Sequence, residues 1–176
     1  MIEKLKALYI SLFSFVETWL KDIVLFGLRF QLANVFFSSG LAKWNGFFVP
    51  NPDNYDLFLY EFFCPDPVRP GALLLCDPDT LEYQEGSLMV SMIENAALLA
   101  GVMEILLPLL LFVGLFSRFA ALGLMGMVAF IQLAVFPEWG HWVNPASWWF
   151  ALGAALLVIG PGRLSIDKLI GLEKNK

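Results

Sequence analysis

Ionisable side chains are scarce in this sequence: 15% of its 176 residues are charged, against about 25% in an ordinary soluble domain. Such a chain cannot cover its own surface with polar groups, which excludes a conventional water-soluble fold and makes a membrane protein the first reading. Bases are scarcer than acids, 11 against 16, giving a net charge of −5 and a pI near 4.8. With no basic patch, nucleic acid is excluded as a partner. Histidine occurs once, as His141, and cysteine twice, a set too small for a metal centre. A nucleotide-binding loop and a serine or cysteine triad are also lacking, so an autonomous soluble-type enzyme is not expected.

What the chain does have is apolar length: 59% hydrophobic residues, 17 Phe and 6 Trp, and a mean hydropathy of +0.70. A helix crosses the bilayer with roughly 20 mostly apolar residues. Four stretches meet that need, at 23–41, 89–116, 119–136 and 145–160. They predict an all-α membrane four-helix bundle in one domain. Before them, Leu5, Leu8, Tyr9, Leu12 and Phe13 recur at helical spacing beside lysines, and no small-residue cleavage site follows. This pattern predicts a separate helix lying at the membrane surface rather than a cleaved leader.

Loop charge sets the expected orientation. One side would hold Lys4, Lys6, Lys21, Arg118, Arg163, Lys168, Lys174 and Lys176. The other holds the 44–88 loop, with Asp53, Asp56, Glu61, Asp66, Asp77, Asp79, Glu82 and Glu85 against a single base, Arg69. The basic side is expected to be cytoplasmic, with both termini inside and the long loop extracytoplasmic. Cys64 and Cys76 fall in that loop. They read as a disulfide closing the loop, as two free thiols, or as a redox-active pair, and their spacing is not the C-x-x-C of thioredoxin-like sites.

Charges inside the apolar stretches are the candidate functional residues. An unpaired ion at mid-membrane costs at least ~3 kcal/mol, so pairing is expected. Depths counted from the predicted helix ends, at about 1.5 Å per residue, suggest two stacked pairs, Arg29–Glu104 and Lys43–Glu94. Such a seam either fixes helix register or lines a polar pocket with Glu61, Gln132 and His141 at its rim. Gln132 also suits an interhelical hydrogen bond, and His141 an interfacial place where it exchanges protons near neutral pH. Trp139, Trp142, Trp148 and Trp149 read as an interfacial aromatic belt, or as rings that stack on a flat ligand. Pro108 removes a backbone donor and is expected to kink its helix near Glu104. In "GPGRLSIDKLI" (160–170), Gly160-Pro161-Gly162 ends the fourth helix, Ser165 caps a short helix, and Asp167 suits its first turn.

"RFQLANVFFSSGLAKWNGF" (29–47), "EILLPLLLFVGLFSRFAALGLMGMVAFIQLAVFPEW" (104–139) and "GPGRLSIDKLI" together resemble the DoxX family of small four-helix membrane proteins. The resemblance implies an inner-membrane accessory subunit of a redox system, linked to quinones or thiols, in a bacterial cell. Some relatives imply instead a non-catalytic scaffold for making or exporting modified metal-binding peptides. The chain departs from the family after "LFLYEFFCPDP" (57–67), where an acidic two-cysteine insertion follows Glu61. That insertion is the expected docking surface for a partner protein. Lipid contact and a homo-oligomer complete the expected associations.

Overall fold

The computed structural model describes residues 2–47, 49–84 and 86–173; Glu85, Lys174 and Lys176 of the charge pattern lie outside them. Helix α1 runs from Ile2 to Ala42. A short α2, Pro52–Asp56, continues through wide π-type turns at Leu57–Phe62. Helix α3 is Leu88–Val113, and α4 is Ser117–Phe130, extended by Ile131–Val135. After a turn at Trp139–His141 (α5) come α6, Ser147–Ile159, and a one-turn α7, Ile166–Leu169. Four of these helical stretches are long and apolar enough to cross a membrane: Leu20–Ala42, Leu88–Val113, Ser117–Val135 and Trp139–Ile159.

The bundle forms because α1 packs along α3, α3 on α4, and α4 on α6, with α1 also touching α6. Leu32, Leu111, Leu124 and Leu156 meet at its centre, fully buried. Close packing rests on small residues, as it does where lipid offers no hydrophobic drive for helix association. A Cβ at Gly40 would lie 2.7 Å from the Glu104 carbonyl oxygen, and one at Gly153 would lie 2.5 Å from the Met125 side chain. The Glu104 carbonyl is also the one to which Pro108 cannot donate, being four residues upstream. Helix α3 runs on through Pro108, with that carbonyl set against Gly40.

The N-terminal segment differs from expectation. No separate surface helix precedes the first span; a single helix covers both. No glycine or proline occurs between Leu5 and Phe26, so nothing in the backbone breaks the helix there. The second span also stops short of 116. Gly114 takes a left-handed conformation (φ 75°), and Leu115 N–H donates to Leu110 O at 2.9 Å, closing α3.

That α3–α4 corner is stitched by the chain's end. Ser165 caps α7 as expected, accepting from Lys168 N–H at 3.3 Å. Asp167 serves a different helix from its own: its carboxylate accepts the Phe116 and Ser117 amides at 2.7 and 2.8 Å, capping α4. Arg29, fully buried, inserts under the corner and donates to the Phe112 carbonyl at 3.5 Å and to the Leu164 carbonyl. Arg163 turns back to Asp22, donating its backbone N–H at 2.7 Å.

At the other end of the bundle, the 44–88 segment folds down as a lid. Phe58, Leu59 and Phe63 are buried against Ile93 and Ala97 of α3. Asn54 donates to the Ala97 carbonyl at 3.2 Å, and Leu73 N–H to the Ala134 carbonyl at 2.7 Å. Cys64 and Cys76 form a disulfide with Cα atoms 5.6 Å apart, fixing the closed-loop reading of the pair. Tyr83 holds the lid from outside, its hydroxyl donating to the Leu59 carbonyl at 2.7 Å.

Replacing Asp167 with Ala strips two charge-assisted caps from α4. Thermal unfolding of the purified protein is expected to show a loss of about 2–3 kcal/mol, with Asp167→Asn intermediate; an unchanged midpoint would refute the cap. Burial, and after it the neighbouring Tyr60, push the Tyr83 hydroxyl up to about 12, so the folded lid prefers the neutral phenol. Because an unfolded tyrosine titrates near ~10, this contribution is complete below that pH and is lost as pH rises towards 12. Tyrosinate absorbance is expected to reveal one late-titrating residue that vanishes in Tyr83→Phe, and its titration should coincide with loosening of the lid.

Candidate functional site

Beneath the lid lies a cavity of about 550 Å³, within the range of small-molecule sites. Its walls come from α1, α3 and α4, and its roof from lid residues and the approach to α6. Val35 and Ser39 of α1, and Lys43 just past its end, recur at helical spacing and face it, and Met103 and Glu104 face it from α3. Gly126 of α4 leaves open space, with nothing within 4 Å of where a Cβ would sit. The roof is aromatic: Phe58, Phe62 and Phe63 from the lid, then Phe136, His141 and Trp149. These rings pack on one another, Phe62 on Phe136 edge-on at 5.8 Å and Phe36 on Trp149 at 5.7 Å. The guanidinium of Arg69 lies 4.6 Å from the Phe136 ring centre on the outside.

One ion pair sits in this apolar chamber. Lys43 Nζ lies 2.8 Å from Glu104 Oε2, both side chains 10% exposed or less, and a second Nζ hydrogen reaches Ser39 Oγ at 3.2 Å. Lys43 stands at the lid end of α1 and bends inward to make this contact. The pair leaves ammonium and carboxylate hydrogen-bonding capacity on the cavity wall, one donor and one acceptor side by side.

His141 and Gln132 form a second polar unit. Gln132 Nε2 donates to the Glu138 carbonyl at 3.3 Å, so its Oε1 faces His141 Nδ1 at 2.6 Å. That geometry puts the proton on Nδ1 and leaves Nε2 with the lone pair. The ring packs at a tilt against Phe136, with centroids 5.0 Å apart.

The expected pairing of charges is corrected here. Glu104 meets Lys43 rather than Arg29, and Glu94 is exposed on α3, away from the cavity. Arg29 lies at the level of Phe112, eight residues or about 12 Å along α3 from Glu104. Glu61 is exposed and turned from the rim; its backbone carbonyl accepts from Arg69 at 2.7 Å. Of the seven residues singled out in the sequence, Lys43, Glu104 and His141 line the cavity, Gln132 orients His141, and Arg29, Glu61 and Glu94 lie elsewhere. The phenylalanines of the roof and Ser39 were missed, whereas His141 and Trp149 were among the residues the sequence pointed to. Phe58, Phe62 and Phe63 recur at helical spacing just before Cys64, which was the available signal.

A buried ion pair is held together by the penalty of parting it. Lys43→Met or Glu104→Gln alone leaves one charge desolvated and is expected to destabilise the protein by about 3–5 kcal/mol. Lys43→Met with Glu104→Leu removes both charges and should recover most of that loss. Equal stability of all three variants in chemical or thermal unfolding would contradict the pair.

No curated protein and no solved structure matches the chain. A protein-family model matches residues 24–137, well over half of the sequence. That stretch holds α1 from Val24 onward, the lid, α3 and α4, and with them nearly the whole cavity. The chain belongs to the DoxX family.

Proposed function

We propose that this multi-pass membrane protein binds a quinone-class head group in the cavity under the lid and presents it to a partner oxidoreductase. One observation carries the reading: an aromatic chamber of about 550 Å³ whose wall holds the Lys43–Glu104 pair. A quinone ring is flat and apolar with two carbonyl oxygens. The rings of Phe36, Phe136 and Trp149 offer stacking faces and edges. Lys43 donates to a quinone carbonyl, and Glu104 accepts from a quinol hydroxyl, so one pair serves both oxidation states. His141, with its free Nε2, offers a second acceptor towards the far side of the ring. The role is accessory: the chain binds and orients, and the electron acceptor or donor belongs to the partner. The basic residues around the termini and the acids on the lid support placement in a bacterial inner membrane with both termini cytoplasmic.

A second reading has its own observation. All seven described acids of the lid, from Asp53 to Glu82, are exposed, which suits a scaffold that docks a basic partner protein. Neutralising Asp77, Asp79 and Glu82 would weaken such docking without touching the cavity.

The test of the first reading is quenching of tryptophan fluorescence by a short-chain ubiquinone analogue in nanodiscs. Binding is expected in the wild type, and weakening by about 10- to 100-fold in the folded Lys43→Met/Glu104→Leu variant, as for loss of charged hydrogen bonds. Absent quenching, or equal affinity in that variant, would remove the cavity from the proposal.

A further inference from the structure

Helix α1 carries polar side chains on the face turned away from the bundle. Its core face bears Leu25, Arg29, Leu32, Phe36 and Gly40, all buried. At 100° per residue the opposite face bears Gly27, Gln31, Asn34 and Ser38, and the three polar residues are exposed. The span covers Leu20–Ala42, so Gln31 stands at its middle and Asn34 about 4.5 Å further on. Among the described residues neither amide has a hydrogen-bond partner. Bare amides facing acyl chains are costly, and such side chains in membranes bond to another helix.

The same face continues towards the N-terminal end of α1. Tyr9, Phe13, Val16, Leu20, Ile23 and Gly27 follow one another at alternating steps of four and three, the repeat of a two-helix seam. All are exposed, Tyr9 by 63% and Ile23 by 60%, and nothing lies within 4 Å of the Cβ position at Gly27. Beside the seam, Asn34 borders a groove of about 220 Å³ between Phe30, Phe37 and Pro108, room for side chains of an incoming helix.

We infer that a second copy of this chain covers this face, the two α1 helices pairing in parallel about a two-fold axis along the membrane normal. Membrane insertion gives both copies one orientation, so such an axis sets each residue against its twin. Asn and Gln carry both donor and acceptor on one amide, and are therefore complementary to themselves in this arrangement. A charged side chain at the same place would repel its twin. Gly27 permits the backbones to approach where the seam enters the amide region. The inference does not depend on what the cavity binds.

The experiment is oligomeric state by native mass spectrometry from nanodiscs, together with oxidative cross-linking in membranes. Both native cysteines are in the disulfide, so an added cysteine is the one free thiol. A dimer is expected for the wild type, with a covalent dimer for Ser38→Cys and none for Leu122→Cys, on the exposed face of α4. Gln31→Leu/Asn34→Leu exchanges exposed amides for lipid-compatible side chains, so the bundle should persist while dimer affinity falls about tenfold. A monomeric wild type, a dimer indifferent to the double substitution, cross-linking no better at 38 than at 122, or a single copy bound through this face to another polypeptide would each overturn the inference.

Discussion

The contact between Lys43 and Glu104 governs the membrane-facing architecture, because two ions removed from water have no acceptable alternative to each other. Holding them together requires α1 and α3 to approach closely, and Gly40 provides the approach by setting bare backbone against the Glu104 carbonyl. Pro108 leaves that carbonyl without its helical donor. The amide carbonyl and the carboxylate of one residue thus both look towards α1. Any side chain at position 40 would force the helices apart at the depth where the ion pair must form.

That constraint explains why a cavity exists beside the pair. Lys43 has to reach inward past Ser39, occupying α1's lid end with polar atoms that large apolar side chains cannot pack around efficiently. Small residues on α4, notably Gly126, keep the facing wall back. The lid then roofs the space with rings instead of filling it. Its anchors lie outside the chamber, in the disulfide, the Tyr83 hydroxyl bond to Leu59, and the Asn54 bond to α3. The roof is therefore held in place without plugging the space beneath it.

The spans were legible because length and apolarity are local properties, and α3 and α4 follow the predicted ranges closely. What escaped was register. Depth was measured from predicted helix ends, at Ile23 and Phe116, yet α1 has no end at 23 and α3 stops at Val113. Gly114 marks that stop in the sequence. The Asp167 carboxylate that caps the following helix comes from 50 residues beyond Ser117, which no local pattern announces. The lid cysteines had a spacing compatible with several states, and only the fold of the intervening chain selects one. Among seventeen phenylalanines, the three that the lid contributes to the roof did not stand out.

Arg29 and Glu104 both looked like functional charges, and comparing their surroundings separates them. The guanidinium of Arg29 donates to backbone carbonyls at Phe112 and Leu164, next to the capping carboxylate of Asp167, at the α3–α4 corner. It is pressed against the turn itself, where a Cβ at Gly114 would already collide with it. Glu104 has one oxygen on Lys43 and a chamber large enough for a guest at its side. A charge in a membrane is thus ambiguous until the space around it is known. A packed arginine braces a turn, whereas a paired carboxylate beside a cavity has bonding capacity left for something that is not part of the chain.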